Sequence, residues 1–139
     1  MTKGEQNRGR LRFDEFSVDR FPDGRCRART RLGWTEGAVF VGEAEGTQTL
    51  EGELRAGAQS AVEAATEAAE GRLKLTLRGV KAIRAFDCWV IVVSVGAKGE
   101  EEHQRLIGAF PSEERNMARG AALAVMDATN RVLEGVLKA

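Results

Sequence analysis

The chain has 139 residues and a mass of 15.1 kDa, a size at which folding buries about two-thirds of the surface that the unfolded chain exposes. Its 21 basic and 21 acidic residues cancel, which argues against binding to nucleic acid or to a membrane surface through bulk charge. One His and two Cys are too few for a zinc site of about four ligands, and no apolar run approaches the roughly 20 residues of a membrane span. We therefore expect a cytoplasmic protein without metal or cofactor, with residues 1–10 as a flexible tail and residues 11–139 as one domain.

Residues 11–71 predict three strands followed by a helix. Apolar residues alternate along the strands, and Phe21–Gly24 and Thr35–Gly37 have the composition of turns. The predicted elements are strands over Leu11–Val18, Arg25–Trp34 and Ala38–Gly46, then a helix over Thr49–Glu70. Gly71 is placed to end this helix.

Residues 73–135 predict the same order of elements. Cys88–Val95 is apolar on both faces, which is typical of a central, covered strand. The predicted strands cover Leu73–Ala85, Cys88–Val95 and Gln104–Phe110, with a charged loop over Ala97–His103. The last helix is predicted to open at Pro111–Glu114, with Ser112 as its N-cap.

The two halves, about residues 11–71 and 73–135, read as an internal duplication. The aligned pairs are Gly71 with Gly135 and Phe13 with Leu77 at an offset of 64, Cys26 with Cys88 at 62, and Gly42 with Gly108 at 66. The duplication predicts an α+β fold, a tandem βββα repeat with a largely antiparallel sheet and two long helices on one face. Because alanine-rich helix faces bury little area, we expect a homodimer in which a second subunit adds burial.

Small residues cluster on the third predicted strand of each half. They are Gly42, Ala44 and Gly46 in the first half and Gly108 and Ala109 in the second. Missing side chains let a ligand approach a strand closely, so these residues are candidate contacts for a small-molecule ligand. The alternative is that they make room for the helix that follows.

Four arginines alternate along the second predicted strand and form one face, the arginine ladder: Arg25, Arg27, Arg29 and Arg31. The ladder is a candidate contact for nucleic-acid phosphates or for an acidic protein partner. No aromatic residues interleave with the arginines, which argues against nucleic acid. The alternative is a solvated face balanced by acids on adjacent strands, such as Glu43 and Glu45. The aligned positions of the second half are apolar: Trp89, Ile91 and Val93.

The sequence contains no catalytic constellation, so we predict no enzyme activity. His103 lies in a charged loop beside Glu100–Glu102, which suggests neither a pocket nor an orienting partner. There is no nucleophile elbow and no phosphate loop. Cys26 and Cys88 are predicted to be small buried hydrophobes, with a disulfide or a reactive thiol as the alternatives.

The tandem and its glycine-rich third strand resemble the C-terminal regulatory domain of 2-isopropylmalate synthase and citramalate synthase. The matching residues are Gly42–Gly46 before the first helix and Asp127–Arg131 in the second. The resemblance extends from Leu11 to Leu133 and implies dimerisation and binding of an end-product amino acid. The steps into the two helices, Thr47–Gly52 and Pro111–Glu114, depart from the family's pattern.

The synthase reaction is not expected, because the sequence has no counterpart of that family's catalytic barrel. We expect instead a non-catalytic regulatory or scaffolding module that dimerises and binds a small metabolite. The alternative is an adaptor that binds nucleic acid or an acidic protein through the arginine ladder.

Overall fold

A computed structural model describes residues 11–35, 37–100 and 102–138, and the predicted tail, residues 1–10, lies outside them. The first half contains β1 (Leu11–Arg20), β2 (Arg25–Trp34), β3 (Ala38–Thr47) and α1 (Leu50–Ala69). The second half contains β4 (Lys74–Ala85), β5 (Cys88–Lys98), β6 (His103–Ser112) and α2 (Met117–Lys138). The predicted α+β fold with a tandem βββα repeat is therefore confirmed.

Each half forms its own three-stranded antiparallel sheet, in the order β1-β2-β3 and β4-β5-β6. Each helix covers the inner face of its own sheet, packs against the other helix and reaches the first strand of the other sheet. Alanines such as Ala61 and Ala121 are fully buried in these contacts, so the alanine-rich helix faces are used within one chain. Within the described ranges, neither helix is long and apolar enough to cross a membrane.

The first strand of each half contains a β-bulge at the same place in the repeat. Asp14 is the unpaired residue in β1 and Arg78 is its counterpart in β4, at the offset of 64 predicted from the sequence. A bulge shifts the alternation of side chains by one residue. This shift explains why Phe13 and Phe16, which are not an even number of residues apart, both point towards the core.

Strand pairing fixes the alignment of the two halves and corrects it in one place. In each half, the glycine of the third strand lies against its helix at matching residues, Ser60 and Ala64 for Gly42 and Ala124 and Ala128 for Gly108. Thr30 pairs with Gly42 and Val93 pairs with Gly108, so β2 and β5 align at an offset of 63 rather than 62.

The corrected alignment changes which residues of β5 correspond to the arginine ladder. Trp89, Ile91 and Val93 lie on the inner face of the second sheet and pack against the core. The outward residues that correspond to Arg27, Arg29 and Arg31 are Val90, Val92 and Ser94.

The helix ends differ slightly from those that the sequence predicts. A 3-10 turn, Glu114–Asn116, precedes α2, and Ser112 ends β6 with its hydroxyl bonded to the carbonyl oxygens of Glu113 and Asn116. Ser112 is therefore not the N-cap of the last helix. Thr49 caps α1 by accepting a hydrogen bond from the Gly52 N–H. The C-cap of α1 is Glu70, and both Glu70 (φ 49°) and Gly71 (φ 82°) have left-handed conformations.

A buried hydroxyl pair joins β2 to α1 in the first half only. The hydroxyls of Thr30 and Ser60 are 2.8 Å apart, and Ser60 also donates to the carbonyl oxygen of Gly57 at 2.8 Å. Both side chains are fully buried. Their counterparts in the second half, Val93 and Ala124, are apolar. The second half therefore shows which apolar residues can take the places of Thr30 and Ser60.

We expect Ser60→Ala alone to lower the free energy of unfolding by about 1–3 kcal/mol, because the buried Thr30 hydroxyl loses its partner. Adding Thr30→Val, which copies the second half, should recover most of that loss because no buried hydroxyl is left unpaired. Urea unfolding of the two single variants and the double variant gives the coupling between them. Strictly additive losses would contradict this account.

Candidate functional site

The arginine ladder lies on the outer face of the first sheet, where acidic side chains of the neighbouring strands balance it. Arg25 and Arg27 lie 2.9 Å and 3.2 Å from the carboxylate of Glu45, and Arg31 lies 3.4 Å from that of Glu15. Arg29 pairs across the strands with Glu43. The outer face of the first sheet thus carries alternating, solvent-exposed charges of opposite sign. This arrangement agrees with the interpretation of the ladder as a solvated face balanced by acids on adjacent strands.

The outer face of the second sheet has a different chemistry. Its outward side chains from the middle of β4, β5 and β6 are mostly apolar, apart from Ser94 and from Lys81 opposite Val92. The apolar ones form a surface that we call the apolar patch: Ile83, Val90, Val92, Ile107, Ala109 and Pro111. Ile83 is 45% exposed and Ile107 is 61% exposed. At the equivalent positions of the first sheet, Arg27, Arg29, Glu43 and Glu45 occupy the places of four of these residues.

Phe86 extends the apolar patch at the tip of the β4–β5 hairpin. Its side chain is 95% exposed, and both Phe86 and Asp87 have left-handed backbone conformations, with φ of 54° and 58°. Two-residue hairpin turns of this kind favour Asn, Asp or Gly, so a phenylalanine here strains the backbone and leaves an aromatic ring in water. Both costs are understandable if the ring contacts a partner.

The other end of the same outer face carries four exposed cations, which we call the cationic cluster: Lys74, Arg78, Lys98 and Arg105. Gly96 lies at its centre, and the Arg78 guanidinium lies over it, with Nε 3.0 Å from where a Cβ would stand. β4, β5 and β6 contain no acidic residue. Among the residues that the structure describes, every ion pair involves the first sheet.

The small residues singled out as ligand contacts are divided between the two faces of their sheets. Gly42 and Gly108 face the helix of their own half, where a Cβ would meet helix backbone, and Gly46 faces Gly52 and Ala56 of α1. Ala44 pairs with the buried Ala28 on the same inner face. Ala109 alone points outward, and its N–H donates to the Asp127 carboxylate at 3.0 Å. Helix packing accounts for the three glycines, and a ligand contact at any of these residues stays a prediction.

A cleft of about 340 Å³ lies where the starts of α1 and α2 meet β1, and we call it the helix-start cleft. Arg20 and Glu53 form a two-pronged ion pair on its wall, with N–O distances of 2.8 and 2.7 Å. The hydrogen bond to Glu53, and then its charge, raise the pKa of Arg20. Arg119 lies over the ring of Phe13 at 5.5 Å, and Arg115 also lines the cleft. Helix N-termini and the arginines Arg115 and Arg119 favour an anionic group here, whereas Glu114 in the same lining opposes one and Glu53 already balances Arg20.

The remaining reactive side chains are scattered. Cys26 is buried, and burial raises the pKa of its thiol; Cys88 is half-buried, and neither cysteine is in a disulfide. His103 is exposed at the start of β6. In the part of the chain that the structure describes, no three His, Cys, Asp or Glu side chains are close enough together to hold a metal ion.

Sequence reasoning missed the apolar patch and the cationic cluster. Their signal was present, because the segments that form β4, β5 and β6 include six Lys or Arg and no acid in a chain whose total charge is zero. The net charge of the whole chain does not reveal that acidic and basic residues are distributed unequally between the two sheets. No protein-family model matches the sequence, and no curated protein matches it.

Proposed function

We propose that this protein is a non-catalytic scaffolding or regulatory module of the cytoplasm that acts as a homodimer joined through the apolar patch. The observation that supports the proposal is the contrast between two equivalent outer faces of one repeat. The first carries paired charges, whereas the second carries Val92 and Ala109 where the first has Arg29 and Glu43.

The physical reason is the cost of leaving this face in water. Isolated exposed apolar residues are normal, but a contiguous row across three strands is characteristic of an interface. Two copies can pack these faces with the strand directions reversed, so that the apolar patches overlap and the cationic clusters lie at opposite ends. Ile107 and Phe86, the most exposed large apolar residues of this half, would then be buried between the copies.

The metabolite part of the proposal is assigned to the helix-start cleft. Arg115, Arg119 and the two helix starts suit a small carboxylic acid, and the apolar wall of the cleft includes Phe16 and Leu54. Because both halves contribute to the cleft, through β1 and α1 on one side and α2 on the other, a ligand here would stabilise their packing.

The dimer is tested by the mass in solution, measured by light scattering after size exclusion. We expect the native chain to have about twice the 15.1 kDa mass of one copy. Ile107→Glu should reduce the mass to that of one copy, because it places a charge within an apolar contact. The matched control is Val41→Glu, at the equivalent position of the first sheet, where Arg31 lies directly opposite.

Val41→Glu should leave the mass unchanged, and circular dichroism should show both variants folded. A native chain with the mass of one copy, or a loss of the dimer in Val41→Glu as well, would contradict the proposal. The same measurement with branched-chain amino acids and 2-keto acids tests the regulatory part. A ligand that stabilises or rearranges the dimer supports a sensor, and indifference to every compound supports a scaffold.

A further inference from the structure

We infer that the cationic cluster is a docking site for an acidic segment of a partner protein. The inference goes beyond the proposed homodimer, because the cluster lies outside the apolar patch. Two copies that overlap through their apolar patches leave the cluster uncovered. It rests on the convergence of Lys74, Arg78, Lys98 and Arg105 around Gly96.

The cluster is built as a shallow, flat site. Gly96 has no side chain, so the Arg78 guanidinium lies against the strand, with its Nε 3.0 Å and one terminal nitrogen 3.4 Å from the Cβ position. Arg105 pairs with Gly96 from the other side. Two arginines therefore flank one backbone position, and a guanidinium binds a carboxylate through two parallel hydrogen bonds.

The charges of the cluster repel one another in the free protein. Lys74 and Lys98 are directly opposite each other on adjacent strands, an arrangement that destabilises a sheet when the charges are alike. Among the described residues, Glu100 and Glu102 lie on the turn between β5 and β6 and form no ion pair with the cluster. In the arginine ladder, by contrast, Arg25 and Arg27 share Glu45. An acidic partner would supply for the second sheet the counter-charges that the first sheet has from its own strands.

Its surroundings favour a protein over a nucleic acid. The cluster continues directly into Ile107 and Val92, and no aromatic side chain of the described residues lies on this face near it for bases to stack on. A short acidic peptide segment can bind through the charges of the cluster alone.

The test is the fluorescence anisotropy of a labelled oligoglutamate peptide mixed with the full chain at low salt. The variant Arg78→Gln/Arg105→Gln removes two charges from the cluster. The matched control, Arg27→Gln/Arg29→Gln, removes two charges from the arginine ladder. We expect the cluster variant to bind at least about tenfold more weakly and the control to bind within about twofold of the native chain.

Binding should also weaken with added salt. The inference is overturned if the native chain does not bind the peptide, if both variants lose binding equally, or if an oligothymidine of equal charge binds more tightly than the peptide. Light scattering of the cluster variant, whose mass should equal that of the native chain, separates this result from the proposed dimer. A monomeric native chain that still binds the peptide through the cluster would overturn the dimer only.

Discussion

Gly108→Ala should lower the free energy of unfolding by about 3 kcal/mol, one of the largest effects of any single methyl group in this protein. Gly108 lies in β6, facing α2. A Cβ at this position would meet the carbonyl oxygen of Ala124 and stand 2.6 Å from the backbone nitrogen of Ala128. Both are backbone atoms of a packed helix, so the added methyl can be accommodated only if α2 moves away from the sheet. Urea unfolding at one fixed protein concentration measures the loss.

The control for this prediction is Gly79→Ala in the same sheet. Nothing lies within 4 Å of a Cβ at Gly79, so this substitution should be neutral or slightly stabilising. Gly42→Ala should behave like Gly108→Ala, because Gly42 meets the backbone of α1 at the equivalent residues Ser60 and Ala64. A Gly108→Ala variant as stable as the native chain would mean that helix and sheet are less closely packed than the structure has them.

The order of elements was predictable because each strand and helix has a clear period in the sequence. The strand β2 begins at Arg25 and ends at Trp34, as predicted. The shift from Leu11 and Phe13 to Phe16 is visible in the sequence as a break in the alternation, and the structure gives its cause as the bulge at Asp14. The offset of 64 between the halves was likewise predictable, since the bulge recurs at Arg78.

The alignment of β2 with β5 could not be fixed from the sequence. Cys26 and Cys88 suggested an offset of 62, but only cross-strand partners define register, and these give 63. Because side chains alternate between faces, one residue of error exchanges the inner and outer faces of a strand. Because of that error, the sequence analysis aligned Trp89 and Ile91 with residues of the arginine ladder. It therefore did not identify Val90 and Val92 as the outward residues of β5.

The candidate sites were harder to predict than the fold, for a physical reason. A small residue on a strand has the same sequence signature whether a ligand or a helix occupies the space beside it. Only the positions of Ser60 and Ala124 show that the helices fill that space at Gly42 and Gly108. The helix-start cleft gives no sequence signal at all, because Arg20 and Arg119 are brought together by the contact of one half with the other.

The second large effect is expected at the crossing of the two helices, where Gly57→Ala should destabilise the protein by about 3 kcal/mol. A Cβ on Gly57 would meet the carbonyl oxygen of Ala118 and stand 2.9 Å from its carbonyl carbon. In an exposed helix the same substitution is stabilising, because alanine has the higher helix propensity. Gly57 is buried between α1 and α2, so here the steric cost exceeds that gain.

The matched control is Gly135→Ala in the last turns of α2. Gly135 is exposed and nothing lies within 4 Å of its Cβ position, so the propensity term acts alone and should raise stability by about 0.5–1 kcal/mol. One substitution at two helical glycines should therefore change the urea midpoint in opposite directions. If both variants shifted in the same direction, backbone propensity rather than helix contact would govern Gly57, and the close crossing of the helices that joins the two halves would lose its support.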